Sequence, residues 1–289
     1  MQRVALVTGA SRGIGRKAAL HLAEAGFEVA IAARTERPGE SQDAYPDGTP
    51  YAGSLEETAR EIAALNGRAI PIRFDLRDRS SAEAVIAATL DAFGQIDVLV
   101  NNALSIDAAT NARLMEADPQ VIANALDANV VTPLVLAQRA IAAMQRRGEG
   151  GAIVNLSSIV HRDTPPAPTG EGGWSFGYAA VKAALTRLTT MIHVEHACEG
   201  IHSWAIEPGC VPTDAFKSAF PPEILPELLK SPAMSLVSED VPGAVIRWLA
   251  SAPEASRLSG QVLDCETVCR EYGLLPEEKI KPELSTGVT

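Results

Sequence analysis

The chain has 289 residues, 46% of them hydrophobic, which is enough for one or two domains with a buried core. Its net charge of -11 and its lack of a Lys/Arg stripe argue against a nucleic-acid partner, because phosphate backbones are bound through clustered cations. No apolar run reaches the roughly 18 residues of a membrane span, and Val4–Val7 is too short for a signal core. The sequence predicts a cytoplasmic protein with no membrane partner.

Short apolar runs alternate with amphipathic stretches along most of the chain. The apolar runs predict buried strands at Val4–Val7, Glu28–Ala32, Ala69–Phe74, Val98–Val100, Ala152–Leu156 and Ile201–Ile206. The amphipathic stretches predict helices at Ile14–Glu24, Leu55–Leu65, Ala82–Phe93, Gln120–Gln145 and Ala179–His196. This alternation is typical of parallel sheets, so we predict an α/β fold with a doubly wound, Rossmann-type sheet and helices on both faces.

No linker divides the chain, so residues 1–272 are predicted to form a single domain. Two segments rich in Pro and Gly, residues 37–53 and 162–177, are predicted to be long surface loops. Residues 211–238 are predicted to form a substrate lid, with a packed helix as the alternative for the stretch from Phe220 to Pro232. The polar residues 273–289 are predicted to be an extended C-terminal tail.

No metal site is predicted. His193 and His196 lie three residues apart in a predicted helix, but no third ligand follows at a suitable spacing. Cys265 and Cys269 lack a second ligand pair, and the four cysteines are expected to be free thiols.

A glycine-rich turn joins the first predicted strand to the first predicted helix. Its glycines are Gly9, Gly13 and Gly15, with Ser11, Arg12 and Ile14 between them. Glycine lets backbone N–H groups approach a pyrophosphate, and a helix N-terminus adds about half a positive charge at the same place. Tight turns use glycine for other reasons too, but the position directly after the first strand favours nucleotide binding.

The end of the second predicted strand bears on the choice between the two nicotinamide cofactors. An acidic residue there favours NAD, whereas arginine favours the extra phosphate of NADP. Arg34 follows the strand with no carboxylate before it, and Arg12 in the glycine turn offers a second cation. We therefore predict NADP, with NAD as the alternative because Glu36 lies close by in the sequence.

Tyr178 and Lys182 are four residues apart in a predicted helix, so their side chains lie on one helix face. Reduction of a ketone leaves an alkoxide that must gain a proton, and oxidation of an alcohol needs the reverse. A free tyrosine has a pKa near ~10, and a neighbouring ammonium lowers it towards neutrality. The pair therefore predicts a proton donor or acceptor at Tyr178, assisted by a charged Lys182.

Together with further motifs in the same order, these features resemble the short-chain dehydrogenase/reductase family, in its single-domain branch. The resemblance extends from Thr8 to about Leu263. The additional matching residues are Asp75-Leu76, Asn101-Asn102-Ala103, Asn129, Ser157-Ser158, and Pro208-Gly209 with Val211 and Thr213.

The resemblance implies roles for particular residues. It implies that Ser158 orients the substrate oxygen, that Asn129 anchors a water relaying protons to Lys182, and that Lys182 also holds the nicotinamide ribose. Strand alternation favours Ser158 over Ser157. The implied cofactor contacts beyond the glycine turn and Arg34 are Asp75, Leu76, Asn102, Ala103, Tyr178, Lys182, Pro208, Gly209, Val211 and Thr213.

Three features depart from the family pattern. Leu104 replaces the glycine after Asn-Asn-Ala, residues 162–177 lengthen the segment between Ser158 and Tyr178, and Asp264-Cys265-Glu266 replaces Asp-Gly-Gly. None of them removes a predicted catalytic group, but each weakens a substrate assignment by resemblance.

The expected activity is hydride transfer between NADP(H) and the carbonyl or secondary alcohol of a small, moderately apolar substrate. The resemblance also implies a homodimer or homotetramer formed through helices 120–145 and 179–196. Two alternatives remain open at this point: a nucleotide-binding sensor without turnover, and a nucleotide-sugar isomerase or dehydratase. An intact Ser158, Tyr178 and Lys182 argue against the sensor, and the shortness of the chain argues against the second alternative.

Overall fold

The computed structural model describes residues 2–45, 47–106, 109–218, 223, 225–231 and 234–282. Within them, seven parallel strands form one sheet in the order β3-β2-β1-β4-β5-β6-β7. The strands are β1 Val4–Thr8, β2 Glu28–Ala33, β3 Ala69–Arg73, β4 Val98–Asn101, β5 Gly151–Leu156, β6 Ile201–Glu207 and β7 Val262–Asp264. Because β1 pairs with both β2 and β4, the loops after β1 and β4 lie at the point where the strand order reverses, which is where such sheets bind ligands.

Helices cover both faces of this sheet, which confirms the predicted fold class. They are α1 Gly13–Glu24, α2 Leu55–Ala64, α3 Arg79–Phe93, α4 Pro119–Leu126, α5 Thr132–Arg147, α6 Phe176–His196, α7 Asp214–Lys217, α8 Leu225–Lys230, α9 Asp240–Ser251 and α10 Cys265–Glu271. One apolar cluster joins the sheet to α1, α2, α9 and α10, and a second joins it to α3, α5 and α6. The central strands are buried on both faces, so they consist of nearly continuous apolar residues.

The predicted helix Gln120–Gln145 is continuous but not uniform. A π-helical turn, Asp127–Val131, separates α4 from α5 and contains Asn129. The segment Pro119–Arg147 has the length and hydropathy of a membrane span. However, Leu136, Ala140 and Met144 of α5 are buried in the core shared with α3, as in the core helix of a globular domain.

The C-terminal region differs from its prediction. Residues 273–282 do not extend away from the domain: Ile280 is only 1% exposed, and its carbonyl accepts a hydrogen bond from the Ser238 N–H at 2.8 Å. One buried apolar side chain and this backbone bond keep an otherwise polar segment docked. Residues 283–289 lie outside the described residues.

The two Pro/Gly-rich segments are loops, apart from the N-terminal end of α6, which begins at Phe176 rather than at Ala179. The helix begins there because the Ser175 hydroxyl caps it by accepting from the Tyr178 N–H at 3.1 Å. In the predicted lid, α7 and α8 are short helices, whereas residues 219–222, 224, 232 and 233 lie outside the described part of the chain.

Candidate functional site

The glycine turn after β1 adopts backbone geometry that other residues resist. Gly9 and Gly13 have φ values of +69° and +55°, and a Cβ on Gly15 would lie 2.2 Å from the Gly9 carbonyl oxygen. Arg12 at the N-cap of α1 makes no side-chain capping bond, and the first turn contains no acidic residue. The first N–H groups of α1 are therefore available to an anion, which fits the pyrophosphate of a dinucleotide.

Asn102 locks this turn to the loop after β4. Its Nδ2 donates to the Thr8 carbonyl at 2.8 Å, and its backbone N–H donates to the Thr8 hydroxyl at 3.0 Å. The Ala103 N–H donates to the same hydroxyl at 3.1 Å. The two loops thus form one unit at the reversal of strand order.

A cleft runs along this edge of the sheet. Of the predicted cofactor residues, it is lined by Gly9, Ser11, Arg12, Gly13, Ile14, Gly15, Arg34, Asp75, Leu76, Asn102, Ala103 and Thr213. Pro208, Gly209, Val211, Tyr178 and Lys182 are not among its lining residues. Val211 is 5% exposed and packs in the core, so the structure assigns its side chain to packing.

The cationic end of the cleft contains a carboxylate that the sequence analysis did not identify. Arg34 donates to Asp43 Oδ2 at 2.6 Å, and Arg12 NH1 lies 3.5 Å from the same oxygen. Glu36, the acidic residue that left NAD open, instead faces Arg73 at 3.6 Å. Asp43 lies in a loop nine positions after Arg34, so spacing alone gave no signal for this contact.

Asp75 is held by its near neighbour Arg77, which donates to both carboxylate oxygens at 3.2 Å and 3.1 Å. Partial burial opposes ionisation, but the hydrogen bonds from Arg77 prevail and lower the pKa of Asp75. The carboxylate is therefore ionised, with Arg77 orienting it at the edge of the cleft.

Ser158, Tyr178 and Lys182 come together beyond the end of β5. The Tyr178 phenol is close enough to the Ser158 hydroxyl for the serine to act on its pKa. Lys182 is 5% exposed, its Nζ donates to the Leu156 carbonyl at 2.8 Å, and it lies 5.8 Å from the centre of the Tyr178 ring. Ser157 points elsewhere, with its Oγ 2.7 Å from Thr186 Oγ1.

The electrostatics of this group differ from the expectation in one respect. Burial raises the pKa of Tyr178, although Ser158 acts in the opposite direction. The predicted lowering by Lys182 is therefore not found. Burial also lowers the pKa of Lys182 to about 8, which weakens the positive charge that was expected to favour the phenolate.

Asn129 is buried and contacts the backbone of the β4 loop. Its Oδ1 accepts from the Ser105 N–H at 2.7 Å, and its Nδ2 donates to the Ser105 and Ala125 carbonyls, each at 2.8 Å. These contacts assign the side chain to positioning Ser105, which lines the cleft. Its role in a water relay to Lys182 remains a prediction.

A charged cluster next to Ser158 was not anticipated. The buried Glu207 at the end of β6 faces His161 at 3.1 Å and Arg162 at 2.9 Å. The partners are far apart in sequence, so only the pairing of β5 with β6 brings them together. The Glu207 carboxylate therefore balances the Arg162 guanidinium, four residues after Ser158 in the sequence.

Comparisons with known proteins agree with this arrangement. A family model described as "Enoyl-(Acyl carrier protein) reductase" matches residues 9–266. The chain is 33% identical to a short chain dehydrogenase/reductase, astE, of Aspergillus oryzae, with 90% of this chain and 92% of the relative covered. It is 32% identical to the 3-oxoacyl-[acyl-carrier-protein] reductase FabG of Staphylococcus aureus, covering 91% of this chain and 96% of the relative.

A solved structure is similar over the same extent. It is a 7 alpha-hydroxysteroid dehydrogenase complexed with NADH and 7-oxo glycochenodeoxycholic acid, with a TM-score of 0.71 and 26% identity. The superposition covers 91% of this chain and 92% of the other. On the family model, the relatives and the fold, this chain belongs to the short-chain dehydrogenase/reductase family of oxidoreductases.

Proposed function

We propose that this protein catalyses hydride transfer between NADP(H) and the carbonyl or secondary alcohol of a small, moderately apolar substrate. The observation that supports it most directly is the grouping of the Tyr178 phenol and the Ser158 hydroxyl with the buried Lys182, whose Nζ lies 5.8 Å from the centre of the Tyr178 ring. A proton donor, an oxygen-binding hydroxyl and an ammonium thus share one place at the carboxyl end of β5. Two of the similar proteins bear names of carbonyl or alcohol chemistry, as 3-oxoacyl reductase and hydroxysteroid dehydrogenase.

The glycine turn, Asn102, Arg12 and Arg34 are the residues that would hold the cofactor. A bound nicotinamide supplies the hydride. Arg12 and Arg34 support NADP over NAD because two guanidinium groups converge on a single anion position, at present filled by Asp43. The similar proteins do not decide this point, since the hydroxysteroid dehydrogenase structure contains NADH.

In the reducing direction, Ser158 donates a hydrogen bond to the substrate oxygen as negative charge develops on it. Tyr178 then gives that oxygen its phenolic proton. The raised pKa keeps Tyr178 protonated at neutral pH, as a proton donor must be. Lys182 is buried near the Tyr178 ring and has a pKa of about 8. When Lys182 is protonated, its ammonium stabilises negative charge on the phenol oxygen of Tyr178.

The surroundings of Ser158 support an apolar substrate. Ile159, Leu104 and Phe176 are 47%, 40% and 57% exposed, although each is a large hydrophobic side chain. Ile159 directly follows Ser158, and Leu104 lines the cleft. Phe176 is the first residue of α6, two positions before Tyr178. Exposed apolar surface next to balanced charges is suited to a neutral ketone or alcohol.

We further propose a cytoplasmic homodimer or homotetramer. Val194 and Met191 of α6 are 75% and 46% exposed, and Leu134 of α5 is 37% exposed. Apolar side chains on the outer surfaces of two helices are typical of a subunit interface.

Replacement of Ser158 by alanine tests the assignment of the oxygen-binding group. We expect Ser158→Ala to lower kcat for NADPH-dependent ketone reduction by about 10²–10³-fold, the effect of losing one donor to a developing oxyanion. The matched control is Ser157→Ala, which should retain nearly full activity because Ser157 bonds to Thr186. Steady-state rates with a panel of ketones measure both. Equal losses in the two variants would contradict the assignment.

Replacement of Lys182 by methionine tests the electrostatics of the site. Between pH 8 and 10.5 the unfolded chain binds more protons at Lys182 than the folded chain does. The free energy of unfolding of the wild type, relative to Lys182→Met, should therefore rise with pH by up to about 1.4 kcal/mol per pH unit in this window. Urea unfolding of both proteins measures the difference. A constant or falling difference would show that Lys182 is not desolvated.

Replacement of Val194 by aspartate tests the proposed interface. A carboxylate buried between subunits costs desolvation energy, so Val194→Asp should shift the protein to a monomer. Val194→Ala, which remains apolar, should preserve the oligomer. Size-exclusion chromatography with light scattering determines the mass of each. A monomeric wild type, or an unchanged oligomer in Val194→Asp, would rule out this interface.

A further inference from the structure

In the loop between β2 and α2, the described residues 37–45 and 47–53 include side chains at one end of the cofactor cleft. The C-terminal end of this loop packs on the glycine turn so closely that a Cβ on Gly53 would lie 2.5 Å from the Ser11 carbonyl oxygen. Arg12 donates from Nε to the Ala52 carbonyl at 3.0 Å and from NH2 to the Ser41 hydroxyl at 3.1 Å. Asp43 and Tyr51 of this loop line the cleft itself.

Asp43 occupies the position between the two arginines. One of its oxygens, Oδ2, lies 2.6 Å from Arg34 NH2 and 3.5 Å from Arg12 NH1. The two arginine side chains are 21% and 19% exposed, whereas that of Asp43 is 40% exposed. The cations are therefore part of the cleft wall, and the carboxylate comes to them from a surface loop.

The loop is held in place from the other side of the cleft as well. The Tyr45 hydroxyl donates to Asp214 of α7, and the Tyr51 and Ser218 hydroxyls are hydrogen-bonded. The rings of Tyr45 and Tyr51 pack edge-on with centroids 5.0 Å apart. Because these contacts tether the loop, Asp43 competes for the arginines at a high effective concentration.

A carboxylate between two guanidinium groups has the charge and the hydrogen-bonding pattern of a small bound anion. A phosphate ester bears more negative charge and more acceptor oxygens, and it suits the same two forks. We propose that Asp43 is a cofactor-specificity residue: its carboxylate occupies the binding position of the 2′-phosphate of NADP(H) and must leave before that phosphate binds.

This inference rests on the proposed function, because it assumes a dinucleotide in the cleft. Asp43 then lowers the affinity for NADP(H) without a matching effect on NAD(H), which has no phosphate to compete for the arginines. The loop thereby makes the ratio of the NADP(H) affinity to the NAD(H) affinity smaller than Arg12 and Arg34 alone would make it. When the phosphate is bound, the displaced carboxylate is free to move into solvent, since it is already 40% exposed.

The test compares two probes that differ only in the 2′-phosphate, 2′,5′-ADP and 5′-AMP, by isothermal titration calorimetry on the full chain. Asp43→Asn should lower the Kd for 2′,5′-ADP by about tenfold, as expected for removal of a competing, partly exposed ion pair. The Kd of this variant for 5′-AMP should change by less than about twofold, and NADP+ and NAD+ should reproduce the same contrast.

Two further variants separate charge from structure. Asp43→Glu keeps the carboxylate and should retain an affinity ratio close to that of the wild type. Asp47→Asn removes an exposed charge that accepts from the Thr49 N–H in the same loop, and it should change neither affinity. Thermal unfolding of all variants confirms that each is folded.

An unchanged or raised Kd for 2′,5′-ADP in folded Asp43→Asn would overturn this inference while leaving the proposed function standing. A tenfold gain for both probes would also overturn it, because the effect would not depend on the phosphate. Failure of every nucleotide to bind to any of the proteins would overturn the inference together with the proposed function.

Discussion

The Tyr178 and Ser158 side chains meet because two distant segments end at the same place on the sheet. Ser158 follows β5 in extended conformation, with φ -168° and ψ 152°. The Ser175 cap starts α6 just before Tyr178, and the buried Lys182, one helical turn later, donates to Leu156 at the end of β5. The carboxyl end of β5 and the first turns of α6 are thus tied together beside these two side chains. Movement of either segment would separate the Tyr178 phenol from the Ser158 hydroxyl.

The loop after β4 connects this group to the nucleotide cleft. At its beginning, Asn102 binds the backbone of the β1 turn. Three residues after Asn102, Ser105 is held by two hydrogen bonds with Asn129, whose Nδ2 also donates to the Ala125 carbonyl. The π-helical turn that contains Asn129 is irregular, and irregular helix of this kind is frequent at functional sites. Two asparagines therefore tie the loop after β4 to the glycine turn on one side and to the π-helical turn on the other.

Much of the fold could be predicted because buried parallel strands have continuous apolar sequences and their helices have amphipathic ones. Strand β7 was not predicted because three residues are too few to show an apolar pattern. Helix α9 was not predicted because Pro242 and Gly243 interrupt its apolar pattern. The tail prediction was wrong over residues 273–282 because Ile280 is a single apolar residue in a polar segment. An isolated side chain has no periodicity to reveal its burial.

The candidate site likewise contains residues that could be predicted from the sequence and residues that could not. The positions of the glycine turn, Tyr178 and Lys182 could be predicted because each depends on local spacing. Asp43 and Glu207 could not, because their partners come from other elements and only the folded chain brings them together. The direction of the Tyr178 pKa shift was also out of reach, since it depends on how completely the folded chain buries the phenol. The spacing of residues along a helix determines which side chains share a helix face, but not how far that face is shielded from water.

Isotope tracing tests most directly whether Tyr178 is the proton carrier for hydride transfer to a carbonyl. Wild-type protein and Tyr178→Phe would each be incubated with a ketone panel and NADPH deuterated at the transferable C4 position, and the products analysed by mass spectrometry. We predict a secondary alcohol with one deuterium on its carbinol carbon, formed at least about 10²-fold more slowly by Tyr178→Phe. Equal rates in the two proteins, or a product in which the deuterium has returned to the nicotinamide, would contradict it.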